Sequence, residues 1–181
     1  MSERNTIVLG VTGSIAAYKA ADLCSRMTQK GLNVVVVMSA AAQKFVCPQT
    51  FLTLSRNPVV TDLWEIPDWQ PGHISLAAQA KLLVVAPCSA NFIGKYAHGI
   101  ADDALSSIAL AHPGKTLLAP AMNPQMWAHP ALKDNCRILR TRGVEFVGPE
   151  SGHVACGEEG EGRMSEVTDV LARIISLVSA P

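Results

Sequence analysis

Short apolar runs rich in β-branched residues alternate along this chain with stretches patterned as helices, and that alternation restricts the fold more than any other feature. The runs are TIVLG (6–10), NVVVVMS (33–39), PVV (58–60), KLLVVAP (81–87), KTLLAP (115–120) and VEFVG (144–148). Between them lie an alanine-rich helix over about 14–30 that stops at Gly31, and a helical region near 41–56 broken at Pro48. Further helices are expected near 73–80, 89–111, 128–142 and 166–178. Strands that are apolar throughout, rather than alternately polar, belong to a parallel sheet covered on both faces. Strand–helix alternation then predicts an α/β fold, a doubly wound three-layer α/β/α domain with right-handed connections. The sheet is expected to be mostly parallel with about six strands. The 181 residues suit one core better than two, so 1–181 is read as a single domain.

The charge pattern removes several function classes. Fifteen basic and fifteen acidic residues cancel, and charged residues make up only 17% of the chain. That balance offers no surface to nucleic acid and no basic patch to a membrane. So little charge on a small domain implies that part of its surface is buried against other copies. No apolar run approaches the ~20 residues of a membrane span, and the N-terminus lacks a signal-peptide pattern. The five cysteines, Cys24, Cys47, Cys88, Cys136 and Cys156, are odd in number and show no CxxC spacing. They read as reduced thiols of a cytoplasmic protein without a metal site. Cys24 and Cys136 read as small buried hydrophobes.

In such a fold ligands bind beyond the carboxyl ends of the strands. Four loops of unusual chemistry fall there: GVTGSIAAYK (10–19), SAAAQ (39–43), PCSAN (87–91) and PAMNPQMW (120–127). Glycine, serine, proline and asparagine are common in any short loop. Four such loops on one edge point to one site. The turn at Gly10, Gly13 and Ser14 offers backbone N–H groups and a helix N-terminus to an anion. It is not a Walker loop, because the nearest lysine, Lys19, lies more than a turn inside the helix. It is not a dinucleotide fingerprint either, because position 12 is threonine and the second strand ends in Met38-Ser39 without an acid for a ribose. A mononucleotide phosphate, held by Ser14, Ser39 and backbone N–H groups, fits better.

Longer segments carry a resemblance. PAMNPQMW (120–127) resembles the P-x-M-N-x-x-M-W motif of the homo-oligomeric flavin-containing cysteine decarboxylases. GHISLA (72–77) is similar to their active-site histidine segment, and APCSANFIGKYAHGIADDALS (86–106) to their flavin loop and following helix. ACGEEGEGRM (155–164) resembles the substrate clamp of the phosphopantothenoylcysteine decarboxylases in that family. These segments run in the expected order over essentially the whole chain. One departure is Cys88, where the family usually carries a small apolar residue.

The resemblance implies a Rossmann-like flavoprotein fold and FMN as cofactor. It implies decarboxylation of 4′-phosphopantothenoylcysteine to 4′-phosphopantetheine, a step of coenzyme A biosynthesis. The thiol is first oxidised to a thioaldehyde, CO2 leaves, and the resulting enethiol is reduced again. Trimers, or dodecamers built from trimers, are implied, and so is a fused or separate phosphopantothenoylcysteine synthetase. Gly13, Ser14, Ser39 and Ala121, with Pro87, Cys88, Ser89 and Ala90, are expected at the flavin. His73 is expected to take the thiol proton, acting at a neighbouring subunit's flavin. Asn123 donates to the substrate carboxylate, or alternatively caps a turn before Pro124. Cys156 is expected to be the proton donor of the reductive half, with Cys88 as a rival thiol. His153, Ala155, Arg163 and Met164 are expected to contact substrate, Arg163 through its phosphate. The glycines of 151–165 suggest a flexible clamp. His98, His112 and His129 are given structural roles. Two other readings share the motifs: a peptidyl-cysteine decarboxylase acting on a precursor peptide, and a flavin-binding regulatory protein. Flavin prenyl transfer is set aside by the combination of His73, Asn123 and Cys156.

Overall fold

Strands β1 (Thr6–Val11) and β3 (Ala80–Cys88) form the centre of the sheet, and both are buried along almost their whole length. The computed structural model describes residues 6–64, 72–153, 157 and 159–179. β2 (Asn33–Met38) lies on the outer side of β1, and β4 (Lys115–Pro120) and β5 (Glu145–Phe146) follow β3 on the other. All pairings in this five-stranded sheet are parallel, in the order β2-β1-β3-β4-β5. The winding reverses between β1 and β3, which opens a crevice at their carboxyl ends.

Successive residues of β1 face opposite layers, as a strand requires. Ile7, Leu9 and Val11 pack with α1 (Ala17–Gln29), α2 (Pro48–Ser55) and α8 (Val167–Ser179). Val8 packs on the other face with α3 (Gly72–Gln79), α4 (Ala90–His98), α5 (Ala104–Ala111) and α7 (Pro130–Thr141). The inward faces follow helical spacing: Ala17, Ala20, Leu23, Cys24 and Met27 are buried on α1, and Val167, Val170, Ile174 and Leu177 on α8. The three-layer parallel architecture is the one expected from sequence.

Several elements differ in detail, each for a local reason. The expected strand at 58–60 is a single parallel bridge, Val37 to Val60, at the sheet edge; Pro58 has no N–H to extend it. The stretch 89–111 is two helices, because Gly99 ends α4 in the left-handed region (φ 70°) and Asp103 starts α5 with a capping box to Ser106. The expected helix at 128–142 is preceded by a short α6 (Pro124–Ala128), capped by Asn123. An antiparallel hairpin, β6 (Glu150–His153) with β7 (Glu159–Arg163), was not legible in the pattern. Its strands, ESGH and EGEGR, carry no apolar alternation to announce it.

Candidate functional site

The crevice between β1 and β3 is fixed by one hydroxyl. Thr12, buried at the end of β1, donates from Oγ1 to the Pro87 carbonyl at 2.8 Å and accepts the Ser89 N–H at 2.9 Å. A threonine at 12 therefore ties the first and third loops together, and a glycine there could not. Ser89 in turn caps α4 by accepting the Phe92 N–H.

A cavity of about 810 Å³ opens above this edge. Its wall brings together residues from all four loops singled out in the sequence: Gly13 and Ser14, Ser39, Ser89 and Ala90, Ala121 and Asn123. The Ser14 hydroxyl accepts the Ala16 N–H and the Ser39 hydroxyl accepts the Ala42 N–H, each at 3.3 Å. Both hydroxyls keep their own O–H to donate. Gly13 is needed because a Cβ there would lie 2.5 Å from the Cβ of Ala41, closing the first loop against the second. Met122 and Met126, expected from the sequence to form an apolar wall with Trp127, line the cavity, whereas Trp127 is buried in the core; Ile15, Phe92 and Leu105 add apolar wall that sequence reading had not assigned to a ligand.

Pro87 and Cys88, expected at the flavin, are not on this wall. Pro87 turns its carbonyl to Thr12, and Cys88 is fully buried in the core with Phe92, Trp127 and Cys136. Successive side chains of an extended segment point to opposite sides. Ser89 faces the crevice, so Cys88 faces the core. Burial, with a smaller contribution from Cys136, pushes the Cys88 thiol well above its ordinary value. Such a thiol is a poor proton donor. Burial also pushes Cys24 up to about 11, and raises Cys136. Cys47 is an exposed free thiol.

The fourth loop is held by the hairpin. The Met122 N–H donates to the Gly162 carbonyl at 2.9 Å. A Cβ on Gly162 would collide with the Met122 carbonyl, and one on Gly160 would lie 2.9 Å from Pro124. These two glycines are set by close approach, Gly162 to the backbone of the fourth loop and Gly160 to the Pro124 ring, not by a need for looseness. The hairpin brings His153, Arg163 and Met164 onto the cavity wall beside Asn123. The Asn123 side-chain oxygen accepts the Gln125 N–H at 2.7 Å and caps α6. The capping and donor readings of Asn123 are thus compatible, because the cap uses its oxygen and donation would use its nitrogen.

Charged groups ring the cavity in pairs. Lys95 meets Asp102 at 2.7 Å and Asp103 at 3.6 Å. The hydrogen bond to Asp102 raises the Lys95 ammonium above its ordinary value and holds the Asp102 carboxyl below its own. Arg163 pairs with Glu150 at 3.1 Å and Glu166 at 3.2 Å, and Lys19 reaches Glu166 at 3.3 Å and the Met164 carbonyl at 3.2 Å. Lys19 and Lys95 line the cavity although sequence reading gave neither a role.

His73 is the second residue of α3; its side chain, like Ala155 and Cys156, lies outside the described residues. The other histidines have structural partners. His112 sits between the carbonyls of Ala77 and Lys115, His98 meets the Gly94 carbonyl, and His129 caps α7. Among the described residues there is no group of three metal-ligating side chains, and no helix is long and apolar enough to cross a membrane.

Comparison with known proteins agrees with this geometry. A family model described as Flavoprotein matches residues 1–179. A "Probable phosphopantothenoylcysteine decarboxylase" of Streptococcus mutans serotype c is 42% identical over 171 residues, covering 93% of this chain and 96% of that protein. A "Coenzyme A biosynthesis bifunctional protein CoaBC" of Bacillus subtilis is 43% identical over 174 residues, covering 94% of this chain but 42% of that protein. The chain therefore spans about two fifths of the length of that bifunctional relative. Among solved structures, a cysteine-to-serine mutant of PPC decarboxylase "complexed with pantothenoylaminoethenethiol" superposes with a TM-score of 0.87 at 27% identity, over 97% of this chain and 98% of that one. Matched by the family model along nearly its whole length, and by a relative at 42% identity end to end, the chain belongs to the flavoprotein family, among the flavin-containing cysteine decarboxylases that include phosphopantothenoylcysteine decarboxylase.

Proposed function

We propose that the chain is an FMN-dependent decarboxylase that converts 4′-phosphopantothenoylcysteine to 4′-phosphopantetheine in coenzyme A biosynthesis. One observation carries this reading: the hairpin is seated on the PAMN loop through Gly162 and Met122. That docking puts Asn123, His153, Arg163 and Met164 on the same wall as Ser14 and Ser39. A substrate end and a phosphate end thus share one cavity.

The residues present fit FMN. Ser14 and Ser39 suit one phosphate at the start of α1, and the apolar wall suits a flat ring. Among the described residues the acid on the wall is Asp103, which is committed to Lys95 and to the capping box of α5, and β2 runs into Met38-Ser39 rather than a carboxylate that could hold a second ribose. Bound FMN supplies reversible hydride acceptance, so the overall reaction needs no outside oxidant.

The protein's own residues do the rest. His73, in the first turn of α3, takes the substrate thiol proton; a helix N-terminus disfavours imidazolium and keeps the base available. Asn123 donates its amide to the substrate carboxylate without a charge that would anchor the anion. Cys156 supplies the proton to the enethiolate carbon. The chain works as one flavoprotein domain in a homo-oligomer, a trimer or a dodecamer of trimers, in which His73 serves a neighbouring subunit's cavity. The exposed rim formed by Ile15, Tyr18 and Met126 supports such packing. Free thiols at Cys24, Cys47, Cys88 and Cys136 support a reducing compartment, the cytoplasm, with a synthetase fused or separate.

Product mass separates the roles. His73→Asn leaves the substrate intact, whereas Cys156→Ser releases CO2 and accumulates a product two hydrogens short of phosphopantetheine. Losing a general acid costs ~10²–10⁴ in rate, enough for that product to build up. Cys88→Ser turns over normally. If Cys88→Ser accumulates the oxidised product and Cys156→Ser does not, the proton donor is misassigned.

A further inference from the structure

Lys19 and Arg163 come from opposite ends of the chain, yet both face the cavity, and one carboxylate bridges them. Glu166 places Oε2 3.3 Å from Lys19 Nζ and Oε1 3.2 Å from the Arg163 guanidinium. Glu150 completes the group by accepting from Arg163 at 3.1 Å and from the Glu166 N–H at 3.3 Å. The two cations line the cavity; the two carboxylates stand behind them and do not. Arg163 Nε is buried and has no hydrogen-bond partner. Lys19 has one N–H beyond those given to Glu166 and to the Met164 carbonyl. The side chain of Lys19 is only 12% exposed, while that of Glu166 is 48% exposed.

Both cations that Glu166 bridges line the cavity, and an ammonium beside a guanidinium suits the oxygens of a phosphate. We propose that Lys19 joins Arg163 in one subsite for the phosphomonoester of the substrate, and that Glu166 holds the two cations together from outside the cavity lining. This rests on the decarboxylase reading and adds to it a second residue that recognises phosphorylation. With both carboxylates ionised the group is neutral, so Glu166 tempers its attraction for a dianion. Two cations held by one anion stay positioned without phosphate and discriminate against ligands that lack it.

The test is calorimetric binding of the product 4′-phosphopantetheine, which carries the phosphate but no carboxylate to lose, and of its unphosphorylated alcohol to the flavin-loaded assembly. The readout is the ratio of the two Kd values, with flavin affinity measured alongside. The wild-type protein should prefer the phosphorylated ligand by about tenfold or more, as expected for hydrogen bonds between charged partners. Lys19→Met should remove most of that preference, leave alcohol binding unchanged and leave flavin affinity unchanged. Glu166→Gln should enlarge the preference, because the group then carries a net positive charge. A wild-type ratio near one overturns the proposal even if the protein decarboxylates. So does a Lys19→Met variant that loses flavin instead, or a Glu166→Gln variant that loses preference. Failure of both ligands to bind wild-type protein would reject the decarboxylase reading and this subsite together. Binding of both with equal strength would reject the subsite alone.

Discussion

Thr12 and Ser89, 77 residues apart, are joined by a 2.9 Å hydrogen bond from the Ser89 N–H to the Thr12 hydroxyl, which itself donates to Pro87. This bond sets the spacing between the loops after β1 and β3, and both loops line the cavity. Thr12→Val keeps the shape and removes the hydroxyl, leaving a part-buried N–H unpaired. The expected loss is about 1–3 kcal/mol of unfolding free energy, with weaker flavin retention. Urea unfolding and flavin titration check it, and Thr12→Ser should restore both. An unchanged Thr12→Val protein would show that the loops are positioned without this bond.

Asn123 offers a clean separation of folding from chemistry. Aspartate caps a helix as well as asparagine does, so Asn123→Asp should change stability by no more than about 0.5 kcal/mol. The same substitution replaces a donor with a negative charge facing the substrate carboxylate. Turnover should fall ~10²–10³-fold, the usual cost of losing one positioned donor to an oxyanion. Thermal unfolding and a CO2-release assay on the same sample decide it. Undiminished turnover would reduce Asn123 to a cap.

The buried thiols predict how the protein fails in base. Cys24 is raised from 9.0 to about 11, and Cys88 and Cys136 are raised as well, all chiefly by burial. In each case the folded state holds the proton more tightly than the unfolded chain. The stabilisation is complete below pH 9 and is lost as pH rises from about 9 toward 11 and beyond. Chemical unfolding at pH 8 and pH 10 should therefore show a lower midpoint at the higher pH. Cys24→Ala should be less stable at pH 8 but should lose less on going to pH 10. A midpoint that does not move with pH contradicts this account.

Much of the fold was legible because β1, β3 and β4 each carry a continuous apolar run behind a polar start, the pattern of a covered parallel strand. The four loops were legible as one site because strand order places their ends on one edge. What escaped were contacts made by backbone and by distant charges. Gly160 and Gly162 looked like marks of a loose clamp, but they are where β7 lies against Pro124 and Met122. Composition does not distinguish a glycine that bends from one that lets another chain segment approach. Cys88 looked like a flavin contact because it lies in a loop expected at the flavin; the alternation of an extended segment turns it into the core. Lys19 looked misplaced for a phosphate loop, and its partners Met164 and Glu166 lie about 145 residues away, beyond any local pattern.

The central claim is the reaction itself, and direct product detection tests it best. The purified assembly, loaded with FMN, is incubated separately with 4′-phosphopantothenoylcysteine and with a peptide ending in cysteine, and the products are weighed by mass spectrometry. The account predicts loss of CO2 from phosphopantothenoylcysteine to give 4′-phosphopantetheine, with the peptide unchanged. Loss of CO2 from the peptide alone, or from neither compound in flavin-loaded protein, would contradict it.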